Sequence, residues 1–231
     1  MERENLLLKY FDTRLQEPAK IGPGEALTPF VTLSREFGCP SKLVAKELCE
    51  ELNRRSVRDH KHQWQCISKE IVEEAAAKLK LEPEKIRHFD AESKEALYEV
   101  LAAFSTNYKS SRAIERVTRD VIRTFARRGH VILIGRGGVA ITQGWPYSLH
   151  VRLIAPKEWR IEEYAKRHSL THKESENIVT SMDKKRTDWI EIYLGHKMDL
   201  NIFDTIINCK PLSVEEIVHG IIGMMEAKKL I

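Results

Sequence analysis

Three apolar stretches of this 231-residue chain each end in a loop built from arginine, glycine and small residues. Phe30-Val-Thr-Leu-Ser34 runs into Arg35-Glu-Phe-Gly-Cys-Pro-Ser41, followed at once by Lys42. Val131-Ile-Leu-Ile134 empties into Gly135-Arg-Gly-Gly138, and Leu149-His-Val-Arg-Leu-Ile154 into Ala155-Pro-Lys-Glu-Trp-Arg160. A fourth cluster, Asp183-Lys-Lys-Arg186, stands in a polar stretch downstream. Arginine offers a planar fork that matches the oxygens of a phosphate. Glycine, having no Cβ, lets backbone N–H groups come close to one. The chemistry these residue types suit is the holding of anions, and phosphate esters above all.

Such loops need elements that hold them at one place. Val131–Ile134 is a continuous apolar run, the pattern of a strand buried on both faces in a parallel sheet. Strands are read at Phe30–Ser34, near Trp64–Ile67, and at Val131–Ile134, Leu149–Ile154 and Asp204–Asn208. Helical spacing connects them: Leu43, Val44, Leu48 and Leu52 form one stripe, and Ile114, Val117, Val121, Ile122 and Phe125 another within Arg112–Arg128, which Gly129 ends. Ser68 N-caps a helix over 69–80, and further helices are expected near Pro83, over Ser93–Phe104, over Lys157–Lys166, through much of His168–Met198 and over Val214–Ala227. Alternating strands and helices predict an α/β fold with a parallel sheet and right-handed crossovers. In such sheets ligands bind at the carboxyl ends of the strands, which the three loops leave. Residues 1–28 form an extension, a short helix at Asn5–Leu15 followed by a linker with Pro18, Gly22, Pro23 and Gly24.

Composition narrows the class. The 38 lysines and arginines against 34 acidic residues leave a net charge of +4, which does not favour a nucleic-acid partner despite the local run from Arg112 to Arg128. Met1–Lys9 is not a signal peptide, and no apolar stretch reaches membrane-spanning length, so a cytoplasmic protein without a membrane partner is expected. Cys39, Cys49, Cys66 and Cys209 form no CxxC pair, and His60 and His62 have no further ligands nearby. Reduced thiols and no metal site are therefore expected. Gly135-Arg-Gly-Gly-Val-Ala140 satisfies the loose dinucleotide pattern, but no acidic residue ends the next strand. No G-x-S-x-G elbow is present.

Taken in order, Ser34-Arg-Glu-Phe-Gly38, Ile134-Gly-Arg-Gly-Gly138, Ala155-Pro-Lys-Glu-Trp-Arg160, Asp183-Lys-Lys-Arg186 and Phe203-Asp-Thr-Ile-Ile-Asn208 resemble the cytidylate kinase-like family over about residues 30–222. The resemblance implies a P-loop nucleoside monophosphate kinase fold: a five-stranded parallel sheet flanked by helices, a helical substrate-binding insertion at 54–112 and a lid at 157–200, all within a domain spanning 29–231. It implies ATP and Mg2+ as phosphoryl donor, and a nucleoside monophosphate, CMP or dCMP, as acceptor. Arg35, Gly38, Ser41 and Lys42 would face the donor phosphates. Gly135, Arg136 and Gly137 would hold the acceptor, with Arg112 from the insertion. Lys42, Arg160, Arg167 and Arg186 would neutralise the transferring group.

The phosphate loop departs from the standard GxxxxGK[ST]. Anchoring on Lys42 puts Glu36 and Ser41 at the glycine positions and Leu43 at the metal-binding hydroxyl; anchoring on the helix puts Ser41 at the lysine. Pro40 lacks a backbone donor, and Gly137 stands where ordinary cytidylate kinases carry an aspartate. Two further readings therefore stay open: a catalytically weak or inactive nucleotide-binding or sensing protein, and a kinase for another small phosphate acceptor. The 1–28 extension could lie on the core or on a second copy in a homo-oligomer.

Overall fold

The structure, a computed structural model, describes residues 28–56, 63–68 and 111–231. The expected helices at 5–15 and within 69–104, His60 and His62 lie outside the described residues, as do nearly all of the 1–28 extension and most of the 54–112 insertion. The elements run β1 (Phe30–Arg35), α1 (Ser41–Arg55), β2 (Gln65–Ile67), α2 (Ser111–Arg128), β3 (Val131–Ile134), α3 (Gly138–Ile141), β4 (Ser148–Ile154), α4 (Lys157–His168), α5 (His172–Leu194), a 3-10 turn (Leu200–Ile202), β5 (Thr205–Asn208) and α6 (Val214–Ala227). The chain divides into two compact units. One holds residues 1–26 and 72–121, of which only the start of α2 is described; the other, residues 27–71 and 122–231, holds the whole sheet.

The sheet is five-stranded and parallel throughout, in the order β2-β3-β1-β4-β5. Its centre is β1, whose Phe30 is opposite Val131 of β3 on one side and Ser148 of β4 on the other. Strands flanked on both sides and covered on both faces have no polar face to alternate, which is why β1 and β3 read as apolar runs. At the edge, β5 alternates between exposed and half-buried residues instead.

On one face α1 and α6 cover the sheet. Val44, Leu48 and Leu52 of α1, with Ile217, Ile221 and Met225 of α6, meet Leu33, Leu149, Val151 and Leu153. Each such side chain, fully buried, contributes roughly 1.5–3 kcal/mol. On the other face a smaller cluster joins Val139 of α3 to Ile190 of α5, Ile202 and Phe203. Helices α5 and α6 begin with full capping boxes, Thr171 with Glu174 and Ser213 with Glu216. Helix α1 has no such side-chain cap, for Pro40 stands at its N-cap.

The second face also buries a polar group in mid-sheet. His150 of β4 sets its Nδ1 2.8 Å from Thr32 Oγ1 on β1 and its Nε2 3.3 Å from Ser148 Oγ. Its backbone N–H donates to Asp204, whose other oxygen takes Lys228. Burial holds the imidazole below the ordinary histidine value of 6.5; Asp204 opposes that shift and Lys228 adds to it. An imidazole harder to protonate in the folded state makes the unfolded chain bind the proton first. Its stabilising contribution is therefore complete above pH 6.5 and is lost as the pH falls below it. We expect urea midpoints to fall between pH 7 and pH 5 by more in the wild type than in His150→Gln. Parallel midpoints for the two proteins would contradict the assignment.

Candidate functional site

The loop that leaves β1 is held by charge. Glu36 continues the sheet through its N–H to Leu153 O, and its carboxylate accepts from the Ala155 N–H. Arg160, near the start of α4, is only 3% exposed. Its Nε donates to Ala155 O at 2.9 Å, and its Nη1 to Phe37 O at 2.9 Å and Asp183 Oδ2 at 2.7 Å. Its Nη2 lies 3.3 Å from Glu36 Oε2. Asp183, on α5, closes the ring: its other oxygen accepts the Phe37 N–H at 2.6 Å. A charge buried this deeply is stable only with such complete pairing. Gly38 has φ +95°, and a Cβ there would sit 3.2 Å from Arg160 Cβ, so the loop passes tightly over the arginine.

Aromatic stacking fastens the outside of the loop. Arg186 of α5 lays its guanidinium 5.0 Å from the Phe37 ring centroid and reaches Arg35 O at 3.5 Å. Tyr164 of α4 takes up the ring at 4.9 Å and is itself 4.2 Å from His168. Burial pushes Arg186 below the ordinary arginine range, against the pull of Asp183.

The loop after β3 meets the same helix. Arg136, at φ +52°, places its guanidinium 4.8 Å from the Trp189 ring of α5. Gly137, at φ +70°, has no room for a side chain: a Cβ would fall 2.4 Å from Tyr193 Cδ2. A Cβ on Gly135 would fall 1.9 Å from Arg35 Nη1, because Arg35 reaches across from β1 to this loop.

Arg35, Gly38, Arg160 and Arg186 are thus brought together with Glu36, Phe37 and Asp183, and Gly135 joins them through Arg35. Gly135, Arg136 and Gly137 border α5. Ser41 is buried, its N–H turned back to Cys39 O at 2.8 Å. Lys42 is exposed and lines a cavity of about 330 Å3 with Lys46, Cys66 and Ser68. Arg167 is exposed in the last turn of α4, and Arg112 belongs to the other unit.

One residue escaped the sequence reading. Arg152 of β4 lies among these charges, its Nη1 3.5 Å from Met198 Sδ and its guanidinium 5.3 Å from the Phe203 ring. Burial pushes it below the ordinary arginine range, opposed by Glu36 and Asp183. Its Nε is buried and meets no hydrogen-bond acceptor among the described residues. An arginine between Val151 and Leu153 in a buried strand was the available signal. Arginines outnumber carboxylates around the loop, so the arrangement suits an anionic ligand. The carboxylates Glu36 and Asp183 are both engaged by Arg160.

Removing Arg160 takes the counter-charge from both carboxylates and leaves each with one backbone N–H. Arg160→Ala is expected to lower stability by about 3 kcal/mol, read from the urea midpoint, and to speed hydrogen exchange at the Phe37 amide. Arg160→Lys, which keeps the charge without the fork, should recover only part of either. Gly137→Asp is expected to destabilise by more than about 1 kcal/mol; an unchanged midpoint would show that Tyr193 yields freely.

No helix among the described residues is long and apolar enough to cross a membrane. A crystal structure of an uncharacterized protein from Eubacterium ventriosum ATCC 27560 is similar, with a TM-score of 0.62 over 87% of this chain and 99% of that one. At 22% identity the likeness speaks to the fold alone. The search of curated proteins finds no match. The model of the cytidylate kinase-like family matches residues 30–211. With that match over most of its length, the chain belongs to the cytidylate kinase-like family and is a kinase-like nucleotide-binding protein.

Proposed function

We propose that the protein transfers the γ-phosphoryl group of ATP to a nucleoside monophosphate, with CMP and dCMP the favoured acceptors. The observation that carries this reading is the gathering of Arg35, Arg152, Arg160 and Arg186 around the loop at the carboxyl end of the central strand. Phosphoryl transfer is catalysed mainly by holding two phosphates in line and by compensating the charge that develops on donor and leaving group. The Arg35–Ser41 loop would be the phosphate loop, with Gly38, Ser41 and Lys42 on the donor side. Arg136, between Gly135 and Gly137, would hold the acceptor phosphate. Helices α4 and α5, with Arg160, Arg167 and Arg186, would act as the lid. An acceptor phosphate oxygen attacks the γ-phosphorus, and the bond to the β-phosphate oxygen breaks to release ADP. Since Glu36 and Asp183 are held by Arg160, the residues present do not fit a protein-bound metal at this loop. Mg2+ would therefore arrive on the phosphates of the donor.

A second reading, a nucleotide-binding protein with little or no turnover, is favoured by a different observation. The Phe37 N–H, a donor a phosphate would use, is already given to Asp183, and Pro40 has none to give.

The test is ADP release from Mg·ATP with CMP, dCMP, UMP, AMP and GMP, each supplied singly. Acceptor-dependent ADP is expected, and Arg136→Ala and Arg186→Ala should each reduce it on the order of 100-fold. Silence across the panel with nucleotide still bound supports the second reading. Neither binding nor turnover would remove both.

A further inference from the structure

One arginine of the cluster is held only by soft partners. In β4, Leu149, Val151 and Leu153 belong to the core under α1 and α6, so the alternation of the strand sends His150 and Arg152 to the opposite face. His150 finds Thr32 and Ser148 there. The half-buried guanidinium of Arg152 finds the Met198 sulfur at 3.5 Å and the Phe203 ring at 5.3 Å. Its buried Nε meets no acceptor among the described residues. A thioether is a weak acceptor, and a ring face attracts the cation without taking up an N–H.

The carboxylates that could pair with it are engaged elsewhere. Glu36 and Asp183 both bind Arg160, and each also takes a backbone N–H. Buried donors of this kind are ordinarily given an oxygen, and here the protein supplies none to Nε. Beside Arg152, in register on β1 and on the same face, stands Ser34, 5% exposed. The residues that follow it, Arg35 to Ser41, form the loop of the proposed donor site. We propose that Arg152 is a phosphate-binding residue for the donor. With nucleotide bound, its guanidinium turns from Met198 and Phe203 and donates Nε and one Nη side by side to oxygens of the polyphosphate chain, and the Ser34 hydroxyl adds a further donor. The inference deepens the proposed donor site and rests on that reading.

Two physical features suit the role. Burial already holds the guanidinium below the ordinary arginine range, so part of its water is gone before a ligand arrives. The contacts given up are weak, whereas paired N–H bonds to phosphate are charge-assisted and match the guanidinium fork. The same features make a prediction about the ligand-free protein that a structural arginine would not share. A buried donor without a partner costs stability. An apolar side chain of similar length at this position should therefore leave the ligand-free fold as stable as before, or more so.

The experiment titrates ATP and inorganic tripolyphosphate, separately and without acceptor, onto the full chain and onto its Arg152→Met and Arg152→Lys variants. Urea midpoints of all these proteins are recorded without ligand. Arg152→Met is expected to bind both ligands on the order of 30-fold more weakly, with a midpoint equal to or above that of the wild type. Arg152→Lys, which keeps the charge and loses the fork, should recover part of the affinity. A lowered midpoint or a failure to fold in Arg152→Met would make Arg152 a structural arginine and overturn the proposal. Undiminished affinity for tripolyphosphate in that variant would overturn it too, as would a wild type that binds neither ligand. The result is separable from the ADP-release assay. Weakened binding in Arg152→Met beside a wild type without turnover would uphold this inference and remove phosphoryl transfer; turnover beside undiminished affinity would do the reverse.

Discussion

A single buried guanidinium determines how this site is put together. Arg160 sits where water cannot solvate it, so its charge must be met by protein groups arranged around it. The groups that meet it come from separate parts of the chain: Glu36 and Phe37 after the central strand, Ala155 after β4, and Asp183 in the middle of α5. Because each of these is oriented by the same cation, the loop, the end of β4 and the α4–α5 pair cannot be rearranged one at a time. The tight passage at Gly38 and the stacking of Phe37 between Arg186 and Tyr164 follow from that arrangement.

The same knot sets the terms on which an anion binds. In the closed ring the Asp183 carboxylate already engages the Phe37 N–H and the Arg160 fork. Where the proposed donor site lies, a phosphate would exchange with an internal carboxylate rather than enter a vacant cradle. Affinity is then the difference between two charge-assisted sets of hydrogen bonds, and the displaced Asp183 needs a new partner. Lys184 and Lys185 adjoin it on α5, and both are exposed.

Much of the fold was legible because parallel strands buried on both faces cannot hide their composition. Val131–Ile134 is a strand with the bounds its apolar run suggests, and the final helix spans the expected Val214–Ala227. Helix α3 was not anticipated: four residues carry too little periodicity to read. The candidate site was legible in its charges and not in their partners. The sequence displays Arg160 and Asp183 as members of two basic, polar clusters, yet nothing in the spacing says that they face each other across the β1 loop. Whether a charged side chain is spent on the protein or offered to a ligand depends on burial, which a local pattern does not encode. Arg152 went unread for the opposite reason, since the alternating Leu149, Val151 and Leu153 drew attention to the strand's core face. Gly137 read as a missing aspartate, and the structure adds why a side chain is resisted there: Tyr193 and Trp189 fill the space.

The strand order has a consequence for how the chain reaches its shape during synthesis. Of the five described strands the central one, β1, is made first, and its pairing partners, β3 and β4, begin at Val131 and Ser148. The segment Phe30–Leu33 must therefore remain without its sheet neighbours until β3 and β4 have left the ribosome. Closing those long-range pairings is entropically slow. During that wait the segment is the part of the nascent chain most exposed to wrong partners, and shielding by α1, which follows it directly in sequence, is the earliest protection available.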